Sequence, residues 1–113
     1  MFLSEIEKLD RNIKEARKIV ERGNALERLS NNKDFKQIIG TGFFQEEAVR
    51  LVHLKADHNM QDPASQESIT KQMDSIGVLS QYFNRVRHET RQAIKAIEAD
   101  EETREELLRE GLE

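Results

Sequence analysis

The sequence predicts an all-α fold in which two long helices form a coiled-coil-like hairpin and one or two shorter helices pack across it. Between residues 63 and 99, apolar residues recur every seven positions, which is typical of a long helix lying along other helices. A second apolar seam, with alternating steps of four and three, follows the N-terminus. One proline and five glycines in 113 residues leave few turns, which favours few and long elements.

The first helix is predicted to begin at residue 4 and to end near residue 22 or residue 30. Ser4 fits an N-cap, and Glu7 three residues later completes a capping box. Gly23 either ends this helix or permits the close approach of another helix, and the sequence leaves both alternatives open. The seam of the first helix comprises Phe2, Ile6, Leu9, Ile13, Ala16, Val20 and Gly23.

Two shorter helices are predicted in the middle of the chain, at residues 35–39 and 43–56. Asp34 follows a turn-forming pair of asparagines and is expected to cap the helix at residues 35–39. Gly40 and Gly42 are expected to separate the two helices, because glycine readily adopts positive φ and permits a sharp change of direction. A polar connector then leads to the long helix.

The long helix is predicted over residues 63–99, because Asp62 is a favourable N-cap and Pro63 suits the first helical position. At about 1.5 Å per residue it would extend roughly 55 Å. It is therefore longer than the first helix would be if that helix ended near residue 22. We expect either that part of its seam is left for another subunit or that the helix kinks near Gly77. Residues 100–113 are predicted to form a separate acidic short helix or tail.

The apolar residues are predicted to have two roles, contact with a partner and formation of an intramolecular core. Part of the seam on the long helix is expected to pack against a partner, through Ile69, Ile76, Leu79, Phe83, Val86 and Ile97. An intramolecular core is expected from Ile6, Leu9, Ile13, Phe35, Phe43, Phe44 and Leu51. Both assignments indicate packing between helix faces rather than chemistry.

Residues that could support catalysis or metal binding do not form a recognisable site. Cysteine is absent, which excludes disulfides and thiolate ligands. His53, Asp57 and His58 have ligand-like spacing, but a zinc site needs three or four protein ligands and nothing else converges on them by sequence. Gly40-Thr41-Gly42 precedes a helix, as in some anion sites, yet two phenylalanines follow directly and fill that space. We therefore expect no catalytic, cofactor-binding or metal site and no enzyme activity.

Charge is unevenly distributed along the chain, whose formal net charge is −4. Residues 1–36 carry nine Lys/Arg and seven Asp/Glu, residues 37–99 seven and eight, and residues 100–113 two and seven. The near-neutral body argues against a large nucleic-acid footprint. A basic patch on the long helix nevertheless suits nucleic acid or a partner's acidic tail, and it comprises Arg85, Arg87, Arg91 and Lys95. No apolar run is long enough for a membrane span, and no signal-peptide core is expected.

Several strings of residues between positions 24 and 86 form a recognisable pattern. They are Asn24–Leu29, Asp34–Ile39, Gly42–Asp57 and Gln61–Gln66, with Ile76-Gly77 and Tyr82-Phe83. Together they resemble a group of short helical proteins from tailed bacteriophages. The resemblance implies that the chain is encoded among virion and assembly genes, and it brings no functional residues with it.

We therefore expect a non-enzymatic structural or assembly protein of a tailed bacteriophage, located in the virion after assembly in the host cytoplasm. It is expected to bind capsid, portal or neck proteins by helix-face packing, in several copies or as a homo-oligomer, without a cofactor or a membrane. One alternative is a DNA-packaging or regulatory module, a small terminase-like oligomer that uses the basic helix flanks. Another is an inhibitor that binds a host protein.

Overall fold

A computed structural model describes residues 2–112 and confirms the all-α prediction, with no strand in that range. Two long α-helices are joined by a shorter helical segment. The elements are α1 (Phe2–Ser30), α2 (Lys33–Phe35), a π-helix (Lys36–Glu47), α3 (Ala48–Ala56), a 3-10 turn (His58–Met60) and α4 (Pro63–Leu112). Met1 and Glu113 lie outside the described residues.

The chain divides into two compact units, and both long helices contribute to each of them. Unit 1 consists of Met1–Leu26 and Arg85–Glu113, and unit 2 is Glu27–Asn84. Unit 1 therefore contains only parts of α1 and α4. Unit 2 contains the end of α1, all of the middle segment and the beginning of α4.

In unit 1, α1 and α4 run antiparallel, as expected for the predicted hairpin. Contacting pairs show the antiparallel direction, because the residue number on α4 falls as the residue number on α1 rises. These pairs are Phe2 with Gly111, Asp10 with Arg104, Arg17 with Glu101, and Gly23 with Thr90. The buried residues of this unit are Ile13, Leu26, Val86 and Ala93.

The first helix takes the longer of its two predicted forms, because α1 continues through Gly23 to Ser30. Gly23 provides close helix approach instead of a helix end. A Cβ atom at this position would lie only 2.0 Å from Thr90 Oγ1. The hydroxyl of Thr90 in turn donates to the Val86 carbonyl at 2.7 Å, which fixes the threonine side chain against α1.

The predicted helix end at residue 99 is wrong, because α4 continues without interruption to Leu112. Residues 100–112 therefore belong to α4 and form no separate helix or tail. The seven-residue pattern does not stop at Ile97 but passes through Arg104 to Gly111. Arg104 Nη1 donates to Asp10 Oδ1 at 2.7 Å, so a charged residue at a seam position is paired with a carboxylate of α1. The helix also continues through Gly77.

The middle segment differs from its prediction, because the two glycines do not separate two helices. Residues 36–47 form a continuous π-helix, and no glycine in the described range has positive φ. A Cβ atom on Gly42 would lie 3.1 Å from the Gln37 carbonyl oxygen, five residues earlier, which matches the i→i+5 spacing of a π-helix. The N-cap is Asn32, whose Oδ1 accepts from the Phe35 amide at 3.0 Å, and the prediction of Asp34 is wrong.

Unit 2 is built around contacts between α3 and the first part of α4. Leu51 on α3 packs with Ile69 and Ile76 on α4. The partly buried side chains around this centre are Phe43, Phe44, Ala48, Leu54, Met60 and Met73. Aromatic rings extend the core, since the Phe83 ring centroid lies 5.9 Å from that of Phe35 and 6.0 Å from that of Phe44.

Candidate functional site

The seam residues predicted to bind a partner are largely covered within the chain. Ile69, Ile76 and Val86 are buried, so their assignment to an exposed partner surface is wrong. For Ile69 and Ile76 the reason is that α3 covers them. The remaining three predicted residues, Leu79, Phe83 and Ile97, are partly buried. The large apolar side chains with the greatest exposure therefore lie elsewhere.

The residues predicted for the intramolecular core occupy interior positions. Ile13 in unit 1 and Leu51 in unit 2 are the two largest fully buried side chains. The others are partly buried, namely Ile6, Leu9, Phe35, Phe43 and Phe44. With most of α4's apolar seam also covered, the apolar side chains that remain exposed become the natural candidates for function.

The position of α3 on α4 is fixed by side-chain amides that bind its C-terminal carbonyls. Gln66 Nε2 on α4 donates to the Lys55 carbonyl at 3.0 Å and to the Met60 carbonyl at 2.8 Å. Gln61 Nε2 donates to the carbonyls of Lys55 and Asp57 at 3.0 and 2.7 Å. Since helix C-termini leave carbonyls without intrahelical partners, these bonds hold α3 firmly in place.

One side of α3 is apolar and exposed. Val49 and Val52 are 56% and 55% exposed, although Leu51 between them is fully buried. We define the α3 outer face as Val49, Val52, His53 and Ala56, all of which are exposed. A helix that is apolar on both sides is normally buried on both sides, and here only one side is covered. The sequence already indicates a second apolar side, because the apolar residues of this segment cover more of the helix surface than one narrow stripe.

An ion pair within the chain lies beside the α3 outer face. Arg50 Nε donates to Glu47 Oε2 at 3.0 Å, and a second guanidinium nitrogen donates to the other carboxylate oxygen. The hydrogen bond from Arg50 lowers the pKa of Glu47, and the same bond raises the pKa of Arg50. This bidentate pair cancels the charges of Arg50 and Glu47 beside Val49, which suits contact with another apolar surface.

The ionisable residues at the end of α3 do not form a metal site. Asp57 Oδ1 accepts from the Asn59 amide at 2.8 Å and thereby caps the 3-10 turn. Within residues 2–112, no group of three or more His, Cys, Asp or Glu side chains is placed to hold a metal ion. The glycines at 40 and 42 lie inside a π-helix, so the loop considered for anion binding is not present.

Basic side chains line the exposed side of α1. Two of them are engaged in ion pairs, Arg17 with Glu101 and Lys18 with Glu15, both at 3.0 Å. The others are exposed and comprise Lys8, Arg11, Lys14, Arg22 and Arg28. On α4, Arg85 lies 3.9 Å from Glu89. Exposed ion pairs of this kind contribute little to stability, so these cations mainly shape the surface potential.

Within the described part of the chain, none of the helices combines the length and apolar character needed to cross a bilayer. Comparisons with protein-family models, with curated proteins and with solved structures find no match to this chain.

Proposed function

We propose that this chain is a non-enzymatic structural or assembly protein of a tailed bacteriophage, which binds a capsid, portal or neck protein through the α3 outer face. The observation that carries the proposal is the exposure of Val49 and Val52 on a helix whose other side carries the fully buried Leu51. A contiguous apolar surface of this kind is typical of a protein–protein interface. The docking surface is thus on α3, and not on the α4 seam that the heptad pattern indicates.

The distribution of apolar side chains supports a role in packing against other proteins. Among residues 2–111, eleven large hydrophobic side chains are exposed, whereas the buried core has seven residues. Burial of apolar surface stabilises association by about 25 cal/mol per Å². A chain that leaves so many apolar groups in water gains stability when a partner covers them.

The setting in a phage particle comes from the sequence resemblance of residues 24–86. That stretch contains the π-helix, α3 and the connector to α4, so the resemblance includes the whole α3 outer face. The direct test is quantitative mass spectrometry of purified particles of the phage that encodes the chain. The proposal predicts a fixed copy number in every particle or in a precursor particle, and absence from both would contradict it.

A second candidate function is DNA packaging or its regulation, and the exposed basic residues of α1 favour it. Lys8, Arg11, Lys14 and Arg22 extend over about 21 Å of helix. If they contact phosphates, log Kd for duplex DNA will change steeply with log salt, with a slope that becomes smaller when two of them are replaced by glutamine. Binding that is absent at 50 mM salt would exclude this role.

The α3 outer face would also serve an inhibitor of a host protein. Pull-down from infected cells distinguishes the two uses of the same surface. Recovery of virion proteins supports the structural role, whereas recovery of one host protein without virion proteins supports inhibition.

A further inference from the structure

The π-helix at residues 36–47 is long and has little packing of its own. It contains 12 residues, and none of them is buried. π-Helices are rare and mostly occur as single-turn bulges inside α-helices, frequently at functional sites. Phe43 and Phe44, near its end, are partly buried against the core of unit 2. Residues 36–42 before them are exposed or partly buried, so few contacts hold this stretch in its π-helical form.

Both ends of this weakly packed stretch are held in place. On the upstream side, the Phe35 amide donates to Asn32 Oδ1 at 3.0 Å, and the Phe35 ring centroid lies 5.9 Å from that of Phe83. On the downstream side, the Phe44 ring meets the same Phe83 ring edge to face, with the centroids 6.0 Å apart. Residues 36–42 therefore connect two fixed points, and a change of conformation within them leaves the core of unit 2 in place.

Gly40 has no evident purpose in the π-helix. Glycine is less favourable than alanine inside a helix, so a helical glycine normally serves a close contact or a positive φ. Gly42 serves a close contact, since a Cβ atom there would lie 3.1 Å from the Gln37 carbonyl oxygen. At Gly40, by contrast, φ is not positive and a Cβ atom would meet nothing within 4 Å. Gly40 is therefore suited to a conformation other than the π-helix.

We propose that residues 36–47 exchange between the continuous π-helix and a second state that is interrupted at Gly40, and that a partner bound to the α3 outer face selects the π-helical state. In the second state Gly40 takes a positive φ and ends the upstream helix. Residues 43–47 then adopt the α-helical hydrogen-bond pattern and extend α3 toward its N-terminus. This second state is the pair of helices separated by a turn that the sequence predicts for the segment.

The last turn of the π-helix connects this exchange to the α3 outer face. A surface depression of about 420 Å³ is lined by Gln45, Glu46, Val49 and Arg50. If α3 extended through this turn, Gln45 would lie four residues before Val49 on the same side of an α-helix, and the depression would change shape. A ligand shifts an equilibrium only through its different affinities for the two states. A partner that fills the depression therefore favours the π-helix.

NMR relaxation dispersion on the free chain tests the exchange, because it detects minor states on the microsecond-to-millisecond timescale. We expect a minor state of about 1%, with non-helical carbon shifts at residues 40–42 and helical shifts at residues 43–47. Gly40→Ala should lower its population at least tenfold, because alanine disfavours positive φ and favours the helix. Gly77→Ala is the matched control, since a Cβ atom on this helical glycine of unit 2 also meets nothing within 4 Å. It should change the population less than twofold.

Hydrogen exchange followed by mass spectrometry tests the selection by a partner, which rests on the proposed function of the α3 outer face. The amides of residues 40–44 should exchange at least tenfold more slowly in purified particles than in the free chain. In Gly40→Ala this difference should fall below threefold, because little of the second state is left to remove. A difference that stays tenfold in Gly40→Ala would mean that the partner merely covers the segment, and would overturn the selection.

Two results would overturn the exchange itself. One is a free chain without relaxation dispersion in residues 36–47, or with a minor state that has random-coil shifts throughout this range. The other is an equal effect of Gly40→Ala and Gly77→Ala on the minor population. Absence of the chain from particles and their precursors would overturn the proposed function and, with it, the selection by a partner. The exchange in the free chain would then still stand, so the two failures are distinguishable.

Discussion

The close contact at Gly23 leads to a prediction in which the same substitution has opposite effects at two sites. Gly23 and Gly77 both lie inside long α-helices, and neither has positive φ. A Cβ atom on Gly77 would meet nothing within 4 Å. A Cβ atom on Gly23 would lie 2.0 Å from Oγ1, 2.5 Å from Cγ2 and 2.7 Å from Cβ of Thr90.

At Gly77 only helix propensity changes. Replacing an unstrained helical glycine by alanine stabilises a helix by about 0.5–1 kcal/mol. At Gly23 the same gain is opposed by overpacking, which typically costs about 1–3 kcal/mol. Rotation of Thr90 cannot relieve the contact, because its Cβ atom moves only with the backbone and α1 must move away from α4. We expect a net destabilisation of about 1–2 kcal/mol for Gly23→Ala.

Thermal and urea unfolding followed by circular dichroism at 222 nm measures both effects. For a chain of this size, 1 kcal/mol corresponds to about 4 °C. Gly77→Ala should therefore raise the Tm by about 2–4 °C, and Gly23→Ala should lower it by about 4–8 °C. If the two units melt separately, each shift will appear in the transition of the unit that holds the substitution.

A double-mutant cycle identifies the cause. Thr90→Gly removes all three atoms that a Cβ atom at position 23 would meet. Gly23→Ala should therefore be stabilising, or close to neutral, in a Thr90→Gly background, with a coupling free energy of about 1–3 kcal/mol. If Gly23→Ala is as stabilising as Gly77→Ala in the unmodified chain, α1 and α4 do not approach as closely as described.

Three further predictions concern unit 2. Phe83→Asp places a carboxylate among aromatic rings and should destabilise this unit by about 3 kcal/mol or more. The effect should be seen as a loss of cooperative unfolding. Near-normal stability would contradict the presence of the ring cluster. Gly42→Ala should be destabilising because of the nearby π-helical carbonyl, whereas Gly40→Ala, with nothing within 4 Å, should be neutral or stabilising in urea titrations. Hydrogen bonds from the Ser65 side chain and amide lower the pKa of Asp62 from its ordinary value. The ionised Asp62 carboxylate therefore contributes its full stabilisation above about pH 4, and this contribution is lost as the pH falls through the lowered pKa. Asp62→Asn should therefore make the free energy of unfolding less dependent on pH between pH 5 and pH 2.

The helix pair of unit 1 was predictable because its pattern is periodic. Ile13, Val20 and the other seam residues of α1 follow steps of three and four, and the structure buries Ile13 and half-buries Val20. The continuation of α4 past Ala99 was not predictable from propensity alone. Asp100 and the acids that follow resemble a helix start, and the pairs Arg17–Glu101 and Arg104–Asp10 across the two helices are not visible in the local sequence.

The middle segment shows a different limit. Glycines at positions 40 and 42 normally indicate a turn with positive φ. In this chain neither glycine has positive φ, and the absence of a side chain at Gly42 makes room for a carbonyl of the π-helix. A sequence does not distinguish these two uses. The error about the partner surface has a similar origin, because heptad periodicity shows that Ile69 and Ile76 are buried but not which helix buries them.

The central claim is that the α3 outer face binds a particle protein, and a matched pair of valine variants tests it most directly. Val52 is 55% exposed on α3 and Val78 is 63% exposed on α4, so aspartate at either site leaves the core of unit 2 intact. The measurement is the copy number of each variant in purified particles, determined by mass spectrometry against the unmodified chain. We predict that Val52→Asp reduces incorporation at least tenfold and that Val78→Asp is incorporated normally. Equal incorporation of both variants would contradict the claim.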